Sequence, residues 1–261
     1  MADPKHDPIV EFAGNGHDSV YGLDNDDRLH GENGHDSLWG RQGDDRLFGG
    51  NGKDALYGGD DDDLLQGGNG KDLLEGGDGA DKLVGENGKD EMHGGWGGDW
   101  LSGGNGKDYL DGGKGSDVLM GGSGSDELRG GGFADELYGN SGADLLIGGG
   151  ADDFLFGGKG SDALFGGDGD DVLDGGLGKD RLIGGDGDDT FLIGAGGKAK
   201  VVDFTDDEDS FHVAGNADGF ADLTLKEKAN GDVVVKFDGD MLVRIKDADI
   251  GDLDHHDFMF G

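Results

Sequence analysis

The apolar residues of this chain recur at a fixed interval of nine residues from Val20 to Phe191, and most of them are leucine. Each is the centre of a short segment such as Ala55-Leu56-Tyr57. Side chains alternate between the two faces of a strand, so the segment predicts a very short strand whose middle residue points inward. The other six positions of each repeat read Gly-Gly-x-Gly-x-Asp. Glycine accepts positive φ, and these positions therefore predict a tight turn.

An aspartate stands two residues before each of these apolar positions, without a break, through twenty repeats. The aspartates are Asp18, Asp27, Asp36, Asp45, Asp54, Asp63, Asp72, Asp81, Asp90, Asp99, Asp108, Asp117, Asp126, Asp135, Asp144, Asp153, Asp162, Asp171, Asp180 and Asp189. Two repeats make one flattened coil, and ten coils stacked at about 4.8 Å make a roll about 43 Å long. The sequence therefore predicts an all-β, right-handed parallel β-roll with a thin leucine core between two sheets.

The nine-residue phase divides the chain into three segments. Residues 1–12 are predicted to cover the first coil, residues 13–192 to form the roll, and residues 193–261 to form a C-terminal β capping region. The predicted strands of the capping region are 201–204, 223–228, 233–237 and 241–245. Asn230-Gly231 and Asp238-Gly239 are hairpin signals, so these strands are predicted to form an antiparallel meander.

The composition of the chain limits the classes of protein to which it can belong. With 62 glycines, a formal charge of −38 and 33% hydrophobic residues, the chain would be expected to be disordered if it did not repeat. Its acidity repels nucleic acid and anionic lipid and leaves cations as the natural partners. There is no cysteine, which excludes disulfides and thiolate metal sites. The first ten residues lack the apolar core of a secretory signal peptide, and no stretch is long enough to span a membrane.

Stacking brings the aspartates of one edge, such as Asp18, Asp36 and Asp54, to about 4.8 Å from one another. Two unit charges at this distance repel by about 1 kcal/mol in water and by about 3–4 kcal/mol near a protein surface. The summed repulsion in two such columns exceeds the typical free energy of unfolding of a domain, about 5–15 kcal/mol. Counterions are therefore required. A set of oxygen ligands in flexible turns favours Ca²⁺ over Mg²⁺, and the gaps between coils accommodate up to about 18 ions.

Residues 13–192 resemble the nonapeptide repeats of the repeats-in-toxin (RTX, hemolysin-type) family, through the frame Gly-Gly-x-Gly-x-Asp-x-apolar-x. The resemblance implies a calcium-binding parallel β-roll whose ligands are the sixth-position aspartates, Asp18 through Asp189. It also implies that calcium folds the roll outside the cell after export through a type I secretion channel. Residues 250–253 and 257–260 resemble the uncleaved C-terminal export segment of such proteins.

The two edges of the predicted roll differ in composition. Odd repeats place asparagine at the third position and histidine or lysine at the fifth, giving a mixed edge. Even repeats favour aspartate at both positions, giving an acidic edge. Fifth-position aspartates such as Asp26 and Asp170 either strengthen calcium sites or point to solvent, and the asparagines are candidates for an amide ladder. In two even repeats Phe133 and Ala151 replace the fourth-position glycine, which predicts strained positive φ and weaker calcium binding there.

Several aromatic residues occupy outward strand positions. They are Tyr21, Trp39, Tyr57, Phe154, Phe156 and Phe165. One interpretation is a docking or sugar-stacking surface, and the other is a set of cross-strand ladders or a face covered by the C-terminal segment. The histidines, including the pair His255-His256, show no zinc-site spacing and no nucleophile–base arrangement, and they are expected at the solvated surface.

These features predict an exported, non-enzymatic calcium-binding protein acting in surface attachment, matrix contact or extracellular signalling. Calcium ions and the type I secretion machinery are the expected partners, with a polysaccharide or cell-surface partner as a further one. The alternative is a calcium-dependent polysaccharide (uronate) binding module similar to those of alginate epimerases. An enzyme is disfavoured because no catalytic constellation is present, and a pore-forming toxin because only twelve residues precede the repeats.

Overall fold

Within the repeats, each strand pairs in parallel with the strand that lies eighteen residues further along the chain. Leu29 is opposite Leu47 in one sheet, and Leu38 is opposite Leu56 in the other. Successive repeats therefore contribute to the two sheets in turn, and two repeats complete one coil. This confirms the predicted parallel β-roll and its coil of 18 residues.

The computed structural model describes residues 8–194, 197–205, 208–213, 223–228, 231–237, 240–246, 248, 251 and 253–260. The chain forms two compact units, Met1–Asp135 and Glu136–Gly261. Within the described residues of both units the regular structure is entirely β.

In the first unit, the strands of successive repeats alternate between two parallel sheets. The strands are β1 Val10–Phe12, β2 Asn15–Gly16, β3 Ser19–Tyr21, β4 Arg28–Gly34, β5 Ser37–Gln42, β6 Arg46–Gly52, β7 Ala55–Asp60, β8 Leu64–Gly70, β9 Leu73–Asp78, β10 Lys82–Gly88, β11 Glu91–Trp96, β12 Trp100–Gly106, β13 Tyr109–Lys114, β14 Val118–Ser123 and β15 Glu127–Gly132.

The second unit begins with the same pattern and ends in the capping region. Its strands are β16 Glu136–Gly142, β17 Leu145–Gly150, β18 Phe154–Phe156, β19 Lys159–Gly160, β20 Ala163–Asp168, β21 Val172–Asp174, β22 Leu177–Asp186, β23 Thr190–Ile193, β24 Lys198–Val201, β25 Ser210–Val213, β26 Leu223–Glu227, β27 Val233–Phe237, β28 Asp240–Ile245 and β29 Phe258–Phe260.

Three of the four strands predicted for the capping region, β26, β27 and β28, form an antiparallel meander. The prediction for 201–204 is wrong, because the strand there, β24, ends at Val201 and pairs in parallel. Strand β27 pairs antiparallel with both β26 and β28. The meander joins the roll because β28 pairs in parallel with β24, and β29 pairs in parallel with β25. The hairpin signals at Asn230 and Asp238-Gly239 lie outside the described residues.

The core of the roll is a ladder of identical side chains. From Leu29 to Phe191 the inward residue of every strand has no exposed surface, and every one except Met92 and Phe191 is leucine. The flanking residues of each strand point outward, as the alternation of a strand requires. Each fully buried leucine contributes about 1.5–3 kcal/mol. Within each unit the core of the roll is one residue thick, because each repeat contributes a single inward apolar residue.

Positive φ is required where the turns of neighbouring coils approach closely. Phe133 has φ 106° and Ala151 has φ 76°, so the two replacements of the fourth-position glycine do adopt the predicted strained conformation. Gly70 has φ 154°, and a Cβ placed on it would overlap the carbonyl oxygen of Gly52 on the preceding coil. A Cβ placed on Gly132 would contact nothing within 4 Å.

We expect Gly70→Ala to lower the free energy of unfolding of the calcium-loaded chain by at least about 2 kcal/mol, because the methyl group would displace a carbonyl of the adjacent coil. Gly132→Ala is the matched control and should change it by less than about 1 kcal/mol. Urea unfolding followed by circular dichroism measures both. Equal losses in the two variants would show that glycine content, rather than close coil stacking, sets the stability.

Candidate metal centre

The sixth-position aspartates are buried. From Asp27 to Asp189 each has an exposed fraction of 1–3%, and Asp18, at the start of its column, is half-buried. A carboxylate almost completely removed from water needs a compensating partner, since burial of an isolated charge is very costly. The columns that the sequence predicts at the two edges are therefore part of the interior.

In most members of the columns, one carboxylate oxygen accepts a hydrogen bond from the backbone of the preceding coil. The N–H of Asp36 donates to Oδ1 of Asp54 at 2.8 Å, and the N–H of Asp54 donates to Oδ1 of Asp72 at 2.9 Å. The same bond recurs on the acidic edge, where Asp45 donates to Asp63 at 2.8 Å. It also recurs in the second unit, where Asp153 donates to Asp171 at 2.8 Å. These bonds fix the orientation of the carboxylates that accept them.

In most of these carboxylates the second oxygen, Oδ2, lacks such a hydrogen bond. Oδ2 has no surface exposed to water and no hydrogen-bond partner in most members of the columns. These members include Asp36, Asp45, Asp54, Asp63, Asp72, Asp81, Asp90, Asp99, Asp108, Asp117, Asp162, Asp171 and Asp180. Buried polar atoms in proteins are almost always paired, and an unpaired carboxylate oxygen carries a large desolvation cost. Its recurrence in coil after coil indicates a ligand site.

The first-position glycines form a cradle beside this oxygen. A Cβ placed on Gly49 would lie 2.7 Å from Oδ2 of Asp54 and 2.6 Å from the carbonyl oxygen of Gly67 on the next coil. At Gly103 the corresponding distances are 2.6 Å to Oδ2 of Asp108 and 2.6 Å to the carbonyl of Gly121. Carboxylate and carbonyl oxygens from successive coils thus converge on a space that only glycine leaves open. This donor set of oxygen atoms fits Ca²⁺.

Burial also shifts the acidity of the columns. Burial raises the pKa of Asp63 to about 8, and the like charges of Asp81 and Asp45 add to the shift, while the hydrogen bond from the Asp45 N–H opposes it. The pKa of Asp45 and that of Asp99 are raised to about 7, again mainly by burial. The ionised columns are therefore unfavourable near neutral pH unless a cation accompanies them.

The fifth-position side chains form an outer ladder that the sequence analysis did not anticipate. The N–H of Asp44 donates to Oδ1 of Asp26 at 3.2 Å, and the N–H of Ala80 donates to Oδ1 of Asp62 at 2.8 Å. On the mixed edge, the N–H of Lys53 donates to Nδ1 of His35 at 2.7 Å. These exposed side chains bond to the backbone of the next coil, so they neither point freely into solvent nor lie in the buried columns.

The asparagines of the mixed edge form the amide ladder that the sequence indicates. Each Nδ2 donates to Oδ1 of the asparagine on the preceding coil, with distances of 2.9–3.1 Å, from Asn105 back to Asn15. This unbroken chain of five bonds holds six coils of the first unit in register.

Three of the outward aromatic residues, Tyr21, Trp39 and Tyr57, stack on one another. The rings of Tyr21 and Trp39 are 4.4 Å apart and inclined by 6°, and those of Trp39 and Tyr57 are 5.5 Å apart and inclined by 9°. Parallel rings along the roll present their faces to each other and their edges to solvent, which confirms the interpretation as a cross-strand ladder. A second stack of Phe12, His30 and Phe48 lies on the other sheet.

One carboxylate of the acidic column was missed in the sequence. The N–H of Asp189 donates to Oδ1 of Asp209 at 3.0 Å, and the N–H of Thr205 donates to Oδ2 of Asp209 at 2.8 Å. Asp209 is 6% exposed and continues the column beyond the repeats. The signal was the triplet Asp209-Ser210-Phe211, which repeats the aspartate-x-apolar frame after twenty residues instead of eighteen. Burial, with the charges of Asp209, Asp171 and Asp203, raises the pKa of Asp189 to about 7.

One other group of potential metal ligands is Asp254, His255 and His256, whose ligand atoms lie within 4.8 Å of one another. All three side chains are exposed, in agreement with the surface position expected for the histidines. Imidazole nitrogen is a ligand for transition metals and does not belong to the oxygen set of the columns. No membrane-spanning helix occurs in the part of the chain that the structure describes.

Stacked buried carboxylates, unpaired oxygens and glycine turns define a metal-binding parallel β-roll. The family model of the RTX calcium-binding nonapeptide repeat matches the chain in a series of segments that together cover residues 12–197. The chain belongs to this family, and its repeats are calcium-binding repeats.

Two solved structures are similar to parts of the chain. The AlgE6R3 subunit of the Azotobacter vinelandii mannuronan C5-epimerase is 27% identical, over 45% of this chain and 77% of that chain, with a TM-score of 0.38. The extracellular lipase LipA from Serratia marcescens is 20% identical, over 80% of this chain and 40% of that chain, with a TM-score of 0.36. A comparison with curated proteins gives no significant match.

Proposed function

We propose that this chain is an exported, non-enzymatic protein whose folding is coupled to calcium binding along the two aspartate columns. The observation that carries the proposal is the unpaired buried Oδ2, which recurs beside a glycine carbonyl in coil after coil. The proposed ligands are the sixth-position carboxylates from Asp18 to Asp189, with carbonyl oxygens of the first-position glycines. The gaps accommodate up to about 18 ions.

Calcium binding then supplies the free energy of folding. Without the metal the columns repel, and the chain stays extended and suited to passage through a type I secretion channel. Outside the cell, millimolar calcium matches the weak affinities of extracellular calcium modules and folds the roll. In this proposal residues 13–192 are the roll, residues 1–12 cover its start, and residues 193–261 cap its end and carry the export signal. The folded roll acts in surface attachment, matrix contact or extracellular signalling.

The test is a calcium titration of the purified chain followed by far-ultraviolet circular dichroism, with magnesium as the control. We expect a cooperative change from coil to β near millimolar calcium, and no such change with magnesium, because Mg²⁺ demands octahedral geometry and retains its waters. A β spectrum that persists after exhaustive chelation at pH 8 would contradict calcium-coupled folding.

A second candidate function is calcium-dependent binding of an acidic polysaccharide. The ladder of Tyr21, Trp39 and Tyr57 gives it little support, because the ring of Trp39 lies between the other two rings and its faces are covered. What favours it is a row of exposed lysines along the mixed edge of an otherwise strongly acidic chain.

A further inference from the structure

Four successive coils of the first unit each present one lysine at the mixed edge. This lysine row consists of Lys53, Lys71, Lys89 and Lys107, all at the fifth position of their repeats and all exposed. His17 and His35 occupy the same position in the two preceding coils, and their rings are stacked 4.6 Å apart.

The backbone holds the row at a fixed spacing. Asn51 is opposite Asn69, and Asn69 is opposite Asn87, in the parallel register of β6, β8 and β10. Each lysine follows such an asparagine by two residues. Neighbouring lysines of the row therefore lie on adjacent coils, which are about 4.8 Å apart. The asparagine amides beside the row are exposed, and the ladder uses only one donor and one acceptor of each amide.

The charge of the row is exceptional in this molecule. The chain carries 59 acidic against 21 basic residues, and the fifth positions of the opposite edge hold the exposed carboxylates of Asp26, Asp44 and Asp62. Behind the lysine row lie the buried carboxylates of the mixed-edge column. Once calcium offsets that column, the row is a linear positive array, and the inference therefore rests on the proposed calcium binding.

We propose that the lysine row, with its asparagine ladder, binds a linear acidic polysaccharide that carries one carboxylate on each sugar. A linear polymer with regularly spaced charges matches a linear row of ammonium groups, and many weak ion pairs add through multivalency. The free donors and acceptors of the asparagine amides suit sugar hydroxyl groups. Single-stranded nucleic acid is the poorer match, because base stacking uses exposed aromatic faces, and the rings that continue the row, His17 and His35, are stacked on each other.

The test uses the calcium-loaded full chain and short mannuronan oligomers, with a neutral glucan of similar length as the ligand control. We expect binding that weakens with added salt and is lost on chelation. Lys71→Gln/Lys89→Gln should weaken binding by about tenfold, through the loss of two ion pairs. The matched control is Lys82→Gln/Lys114→Gln, which makes the same change of charge at exposed lysines near Trp100 and Trp96, away from the row. It should bind within about twofold of the unchanged chain.

Equal weakening in the two double variants would overturn the proposal, because net charge and not the row would then govern binding. Equal affinity for single-stranded DNA would overturn the assignment to polysaccharide. Circular dichroism of the same samples distinguishes loss of polysaccharide binding from loss of calcium-dependent folding. A chain that folds with calcium but does not bind mannuronan contradicts this inference alone, whereas a chain that shows no calcium-dependent folding contradicts the proposed function.

Discussion

Asp45→Asn/Asp63→Asn should weaken calcium binding by about tenfold or more, because each substitution removes an anionic ligand from the buried acidic column. Both side chains are at most 3% exposed, and both have an Oδ2 without a hydrogen-bond partner. Each carboxylate borders two gaps between coils, so the two substitutions alter several sites at once. Competition with a chelating dye measures calcium affinity directly. The folding of the metal-free variant is measured separately, since it also loses two buried charges.

The control variant carries the same substitutions at the residues that directly precede Asp45 and Asp63 in the chain. Asp44→Asn/Asp62→Asn makes the same change of net charge on the same coils, but these side chains are exposed. Their Oδ1 atoms accept hydrogen bonds from backbone N–H groups of the next coil, and an asparagine oxygen can accept the same bonds. We expect calcium affinity within about threefold of the unchanged chain, as for screened surface charges. Equal losses in the two variants would show that overall acidity, and not the buried column, binds the metal.

Much of this arrangement is predictable because one constraint repeats. A three-residue strand with a central leucine can bury that leucine only by stacking, and the interval of nine residues fixes which residues meet. The pairing of Leu29 with Leu47, the asparagine ladder and the positive φ of Phe133 all follow from the period and from glycine stereochemistry.

The features that the sequence does not reveal depend on contacts and side-chain conformations that the nine-residue repeat does not determine. Asp209 joins the acidic column only because the capping region folds back onto the last coil, and a two-residue insertion hides its frame. The outer ladder of Asp26 and Asp44 requires knowing which way the fifth-position side chain turns. The face-to-face stacking of Tyr21 and Trp39 likewise depends on their rotamers, which no residue pattern specifies.

Protonation of the buried aspartates at acidic pH should partly replace calcium in stabilising the fold. In the metal-free fold the pKa of Asp63 is raised by burial to about 8, that of Asp45 to about 7 and that of Asp72 to about 6. An aspartate in an unfolded chain titrates near 3.9, so the folded state binds more protons between about pH 4 and pH 8. The stability of the metal-free fold must therefore fall as pH rises through this window, in contrast to a protein whose carboxylates have lowered pKa values.

Circular dichroism in the presence of a chelator, between pH 8 and pH 4.5, measures this effect. The metal-free chain is expected to be unfolded at pH 8 and to gain β structure as the buried columns are protonated, with a midpoint at about pH 5–7. Calcium acts in the opposite direction, because its ligands must be deprotonated, so the gain of structure on adding calcium should be large at pH 8 and small at pH 5. A metal-free chain that remains a coil at pH 5, or that loses β structure on acidification, would mean that column repulsion is not what keeps it unfolded.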